Sequence, residues 1–301
     1  MPIIKALLEK NNQVILGSTP LTEKILKQEF PQLERVLLPE YNVSYSDVLP
    51  LWLKLASQFS KIKSVIKEEH VGLQNVIKSK RIDIVISDNR YGLYSKDIKC
   101  VIVCHQINLF TPFLTTYANK VHSSLLRNFN EIWVPDFDDG SKKLAGDLSR
   151  NKHALNCKYI GPISRLDKMQ SEIKYDLLFL LSGPEPIQSN LLNAVISKAN
   201  TLLDKKIAIV SSSTIDVSMN TNVAFYKLPD AKTLSSIIAQ SKKIVCRSGY
   251  STLMDMYVLG KKELVLIPTK GQSEQEYLAK YWASKYESIH LSESELKKYN
   301  F

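Results

Sequence analysis

Residues 244–282 read IVCRSGYSTLMDMYVLGKKELVLIPTKGQSEQEYLAKYW. An apolar run breaks at Arg247-Ser248-Gly249, and a helical segment follows and stops at Gly260. A second apolar run, ELVLIP (263–268), ends in a polar loop that carries Gln272, Glu274, Gln275 and Glu276. Strand, tight turn, helix and strand make the crossover unit of a parallel sheet. In open sheets of this kind ligands sit beyond the carboxyl ends of the strands. Gly249 permits the tight turn, and the helix after it points its N-terminal amides outward, where a phosphate can bind. Asp255 lies roughly one and a half turns into that helix. A carboxylate there can accept both hydroxyls of a ribose. The plainer alternative is that Ser248 caps the helix and Asp255 is solvated; spacing alone leaves both open.

Working outward, short β-rich runs alternate with helical patterns along the whole chain. Strands are predicted at 13–18, 34–39, 82–88, 99–106, 131–136 and 157–162. Helices are predicted over PLTEKILKQEF (20–30), 46–78 and TTYANKVHSSLLRNF (115–129). The pattern restarts with strand YDLLFLLSG (175–183) and a helix over 187–203. Strands at 205–213 and 222–229, and helix AKTLSSIIAQS (231–241), lead into the opening stretch. Near-continuous Val/Ile/Leu runs are the mark of strands buried on both faces, as in parallel sheets under helices. The expectation is α/β: two doubly wound, Rossmann-like domains over 1–165 and 175–301, facing a cleft, with polar GPISRLDKMQSEIK (161–174) between their cores.

The chain has 301 residues, 44% of them hydrophobic and 23% charged, a globular composition for two domains. No apolar run reaches the ~20 residues of a membrane span. The N-terminus, MPIIKALLEK, lacks the features of a signal peptide. The four cysteines show no CxxC pair and no Cys/His cluster with metal spacing, so buried reduced thiols in a cytoplasmic protein are expected and no metal site is assigned. The net charge of +10 suits a phosphorylated substrate or an anionic membrane surface. Its lysines are scattered and no nucleic-acid-binding motif is present.

CRSGYSTLMD (246–255), LGKKELVLIP (259–268) and QSEQEYLA (272–279) together resemble the donor site of MurG-type glycosyltransferases, the GT-B enzymes of family 28 that use a UDP-sugar. The resemblance implies a GT-B fold and a hexosyltransferase moving a sugar from a UDP-sugar to a hydroxyl acceptor, with the UDP-sugar as substrate and no cofactor. A lipid-linked acceptor, a cell-envelope glycan product and peripheral contact with the inner face of an anionic membrane belong to the same expectation. Arg247, Ser248 and Gly249 match the family's turn, Asp255 its ribose acid and Gln275 the first of its sugar-contacting Gln pair. The second is Glu276 here, which puts the sugar in question. Gly183 is what remains of a glycine-rich diphosphate loop, and Leu228 matches a segment whose backbone faces the uracil. In the first half, VIVCHQINLFTP (101–112) corresponds to a segment at the cleft with His105, Gln106 and Asn108. ISDNRYGL (86–93) is similar to a subgroup of bacterial GT-B proteins and places Asp88, Asn89 and Arg90 on the acceptor side. The plainer readings are turn formation for Asp88 and Asn89 and a structural hydrogen bond for His105.

The family begins with a strand and a glycine-rich loop that carries its candidate base, whereas this chain begins on helix PIIKALLEK (2–10). The reading therefore expects a gap or a rearranged pairing between strands 13–18 and 82–88. It assigns metal-free transfer, with Arg247 and helix amides neutralising the diphosphate and His105 as base. A UDP-sugar hydrolase of related fold and a non-catalytic nucleotide-sugar-binding protein remain as alternatives.

Overall fold

The computed structural model describes residues 1–41, 58–111, 113–213 and 218–301. The chain divides into two compact units. The first comprises Met1–Leu109, Phe113–Pro135 and Ser149–Ile160; the second comprises Phe110–Pro112, Asp136–Leu148 and Gly161–Phe301.

The first unit opens on helix α1 (Pro2–Glu9), strand β1 (Ile15–Ser18), helix α2 (Pro20–Glu29) and strand β2 (Glu34–Leu37). Thr19 and Thr22 form a reciprocal capping box at the start of α2, and Pro20 fits its first turn. Helix α3 (Phe59–Lys80) covers the described part of the predicted 46–78 helix; residues 46–57 lie outside the described residues. Strand β3 (Ile84–Asp88), β4 (Lys99–Val103), helix α4 (Thr115–Leu126), β5 (Glu131–Val134) and β6 (Cys157–Tyr159) follow. Strands β3 to β6 form one parallel sheet in sequence order, and β1 pairs with β2 alone. Among the described residues no ladder joins β1 to β3, which agrees with the expected gap. The core lies on β4 and β5, where Cys100, Ile102 and Val134 are fully buried with Leu126 of α4.

The second unit holds strand β7 (Tyr175–Leu180), helix α5 (Ile187–Ala199), β8 (Ile207–Ser211), β9 (Val223–Lys227), helix α6 (Ala231–Ala239), β10 (Ser241–Cys246), helix α7 (Tyr250–Val258), β11 (Leu264–Leu266), helix α8 (Ser273–Tyr286), β12 (Ile289–His290) and helix α9 (Glu293–Lys298). Its six strands are all parallel, in the order β12-β11-β10-β7-β8-β9. The chain runs from β7 outward to β9, then returns to β10 on the other side of β7. The strand order therefore reverses between β7 and β10, and that is where an open α/β sheet has a crevice at its carboxyl edge.

The units are not cut where the sequence pattern restarts. Residues 136–148 join the second unit although they precede it in sequence. The buried Asp136 carboxylate accepts the amides of Phe137, Leu144 and Ala145 and folds this segment on itself. Leu144, Ala145 and Leu148 then pack with Leu278 and Trp282 of α8. Trp282 Nε1 donates to Leu144 O at 3.0 Å, and Tyr281 Oη donates to Lys143 O at 2.7 Å. The polar stretch read as a linker also lies on the second unit, with Leu166 buried in its core.

Candidate functional site

At the strand-order reversal the loops after β7 (residues 181–186) and after β10 (residues 247–249) stand side by side. Helix α7 presents its core face through Tyr250, Leu253 and Met256, spaced i, i+3, i+6. It stops at Gly260 (φ 78°), where Lys261 N–H reaches back to Met256 O at 2.8 Å, a glycine-terminated C-cap. Its N-terminus is open: Gly249 is the N-cap, no side chain caps the helix, and a Cβ on Gly249 would meet no atom within 4 Å. No acidic residue sits in its first turn. The helix field there is left to an incoming anion.

The side chains around this N-terminus are arranged differently from the sequence reading. Arg247 is 1% exposed, and its Nη1 donates to the carbonyls of Ile267 and Pro268, both at 3.2 Å. Its Nη2 lies 2.7 Å from the Glu293 carboxylate of α9. Nε, also buried, has no hydrogen-bond partner among the described residues. Arg247 thus ties β10, β11 and α9 together inside the protein. Ser248 does not cap α7 either: it is fully buried and its Oγ donates to Gln275 O at 2.7 Å. Gln275 accepts Thr269 N–H at 2.9 Å and donates to Gln272 Oε1 at 2.6 Å. Glu276 accepts Gly271 N–H at 2.9 Å. The polar cluster after β11 is therefore a self-bonded loop that seats the start of α8 beside the α7 N-terminus.

Asp255 meets a group that the sequence did not indicate. Ser164 Oγ donates to Asp255 Oδ1 at 2.5 Å. Burial pushes the Asp255 carboxyl above its ordinary range, against the lowering effects of the Ser164 hydroxyl and nearby Arg165. No second hydrogen bond to this carboxylate is made among the described residues.

On the β8 side of the crevice, Gly183 takes φ 130°, open to glycine alone. The buried Gln188 amide lies 2.9 and 2.7 Å from the Ser211 and Ser212 hydroxyls. Glu185 accepts Ser189 Oγ at 2.6 Å and Ser189 N–H at 3.2 Å, and also the Ser213 hydroxyl. Unlike α7, the first turn of α5 is already met by a carboxylate. Leu228 is 66% exposed at the end of β9, with φ 44°. Its amide donates to Ser211 O.

In the first unit, Asp88 and Asn89 are exposed at the end of β3, Asn89 with φ 54° in a turn. Arg90 is otherwise engaged: its Nε lies 2.5 Å from Glu69 of α3 and its Nη2 donates to Pro39 O. Glu69, with no exposed side chain, also accepts Tyr41 Oη at 2.7 Å and Gly92 N–H at 3.1 Å. Asn108 is likewise buried and donates to Arg150 O at 2.7 Å. His105 follows β4 and is half-buried.

His122 of α4 holds the loop that His105 begins. Its Nε2 is 2.7 Å from Gln106 O and its Nδ1 is 3.2 Å from Tyr91 Oη. Burial, the largest influence, pushes this imidazole below its usual range. As a neutral ring it donates through Nε2, since a carbonyl only accepts, and takes the Tyr91 hydroxyl at Nδ1. Glu69, His122, Ser164 and Glu293 all went unread in the sequence, because each acts on a partner distant in sequence.

With this geometry in view, residues 187–300 match the model of the glycosyltransferase family 28 C-terminal domain. Similar solved structures include MurG from Acinetobacter baumannii, 13% identical, covering 99% of this chain and 84% of that one, with a TM-score of 0.58. The spinosyn rhamnosyltransferase SpnG complexed with thymidine diphosphate is 11% identical, covering 99% and 84%, with a TM-score of 0.65. An Arabidopsis thaliana protein complexed with UDP-L-rhamnose is 11% identical, covering 99% and 84%, with a TM-score of 0.58. No curated protein matches. The fold is thus the GT-B fold of glycosyltransferases. Residues 187–300 are similar to the family 28 C-terminal domain, and the fold is similar to that of MurG.

Proposed function

We propose that this chain transfers a sugar from a UDP-sugar to a hydroxyl acceptor without a metal ion. The observation that carries the reading is the uncapped, open N-terminus of α7 at the strand-order reversal, with Asp255 about 8 Å further along the same helix. The second phosphate would meet the helix amides and the ribose would meet Asp255. Stabilisation of the departing diphosphate would come from the helix terminus, worth about 0.3–2 kcal/mol in ground-state measurements and most in a water-excluded site. Leu228, on its exposed turn, would face the base, and the loop seated by Gln275 and Glu276 would bound the sugar. Glu276 as an acceptor-only carboxylate favours a donor sugar other than N-acetylglucosamine. His105 would take the acceptor proton, its loop fixed from behind by neutral His122. The net charge of +10 accords with a phosphorylated donor and with a lipid-linked acceptor at an anionic membrane. No helix among the described residues is long and apolar enough to cross a membrane.

Calorimetry with UDP and UMP tests the donor assignment. UDP is expected to bind more tightly, and Asp255→Ala to weaken it by about 1–3 kcal/mol through loss of a charge-assisted hydrogen bond. Equal UDP affinity of wild type and variant would reject the assignment. UDP release from a UDP-sugar at full rate with no acceptor present would favour hydrolysis over transfer.

A further inference from the structure

We infer that Asn119 of α4 is a positioning residue for the transfer, because its side-chain amide grips the backbone of the loop that carries His105. This rests on the reading of His105 as base above. Residues 104–111 leave β4 as an irregular loop. Such a segment keeps a reacting side chain in place only if its own backbone groups are tied down.

Asn119 ties down Leu109 on both sides of the peptide unit. Its Oδ1 accepts Leu109 N–H at 2.8 Å, and its Nδ2 donates to Leu109 O at 2.9 Å and to Thr115 O at 3.0 Å. The amide orientation is fixed, since two carbonyls face Nδ2 and one N–H faces Oδ1. Thr115 lies one turn earlier in α4, so the grip is anchored in the helix itself. Asn119 is only 9% exposed, where an unmet amide would be costly. One turn further along α4, His122 Nε2 donates to Gln106 O at 2.7 Å. Asn119 and His122, spaced i, i+3, thus hold the loop at Leu109 and at Gln106. Between those points Ile107 is fully buried in the core of the first unit. His105 directly precedes the gripped segment. The loop therefore moves with α4, and the His105 ring inherits that placement. The residues proposed for the donor nucleotide all belong to the second unit, so UDP affinity serves as an internal control.

The test uses the full chain with isotope-labelled histidine, followed by NMR, and hydrogen exchange alongside. Asn119→Ala removes both bonds to Leu109. The Leu109 amide should exchange at least about tenfold faster, while the β4 amides keep their wild-type protection. The His105 ring signal, identified by its loss in His105→Ala, should move or broaden, and those of His70 and His290 should stay. Asn119→Asp, which turns a carboxylate toward two carbonyls, should disturb the His105 signal as well. UDP affinity should stay at the wild-type value in both variants. UDP release from UDP-glucose, with water as acceptor, should slow by about ten- to a hundredfold in Asn119→Ala and no further when that change is added to His105→Ala. An unmoved His105 signal in Asn119→Ala, or losses of turnover that add in the double variant, would overturn the inference. So would β4 protection that falls together with that of Leu109, because Asn119 would then only hold the fold. The NMR and exchange results decide this even where UDP-glucose is not turned over. If His105→Ala releases UDP at the wild-type rate, the base reading is at fault instead.

Discussion

Replacing Glu69 by alanine is expected to destabilise the first unit by about 3 kcal/mol, the low end for a broken buried ion pair. Glu69 has no exposed side chain, whereas Arg90 keeps 17% exposure, so part of the uncompensated charge regains water. The variant also strands the Tyr41 hydroxyl and the Gly92 amide, both of which end on the same carboxylate. The site cannot close around the loss easily: a Cβ on Gly92 would already lie 2.3 Å from Ile66 O, so backbone and α3 are in direct contact there. Hydrogen exchange of the β4 amides, in the centre of the first unit's core, is the direct measure. Their protection should fall by about two orders of magnitude. Glu69→Gln, which retains shape and acceptor but not charge, should lie between. Unchanged β4 protection in Glu69→Ala would show that the pair contributes nothing net.

Trp282→Ala is expected to cost the second unit about 3–5 kcal/mol, the range for emptying a large aromatic site. Trp282 is fully buried and it holds residues 136–148 in place both by packing and through the bond to Leu144 O. The loss should therefore be uneven. Amides of 136–148 should lose protection more than those of β7, which sits between two strands on its own sheet. Trp282→Phe keeps most of the apolar contact and forfeits the indole N–H bond, worth about 1 kcal/mol. A urea midpoint that moves little in the alanine variant would count against Trp282 as the fastener of that segment.

The fold was legible because each strand is a short β-branched run and each crossover helix has its own period and stops. The runs predicted at 175–183 and 205–213 became β7 and β8, trimmed only where the polar loops begin. The unit boundary was not legible, since residues 136–148 have no period to announce that Leu144 and Leu148 belong to a core built mostly of later residues. In the site, the end of α7 could be read from Gly260, whose φ of 78° is a local backbone demand, whereas Gly249 takes φ −67° and ψ 138°, which any residue adopts. Arg247 could not. A cation beside a phosphate-ready turn reads as a ligand group, and the carbonyls and the carboxylate that claim it lie at least 20 residues further on. Ser164 was hidden for the same reason, 91 residues from its partner.

The separate pairing of β1 and β2 has a consequence for how the first unit breathes. A two-stranded ribbon is marginal by itself, and its stability is borrowed from what it docks on. The end of β2 is moored through Pro39 O and Tyr41 to Arg90 and Glu69, the residues that also shape the turn after β3. Opening at this mooring would free residues 1–41 as a cooperative parcel while β4 and β5 stay closed. The first unit should thus show two opening free energies, a low one for the β1–β2 parcel and a higher one for the four-stranded sheet. The flank of β3 away from β4 has no ladder partner among the described residues, and Ile84 of that strand is 40% exposed, so the edge open to association is there whether or not the parcel opens.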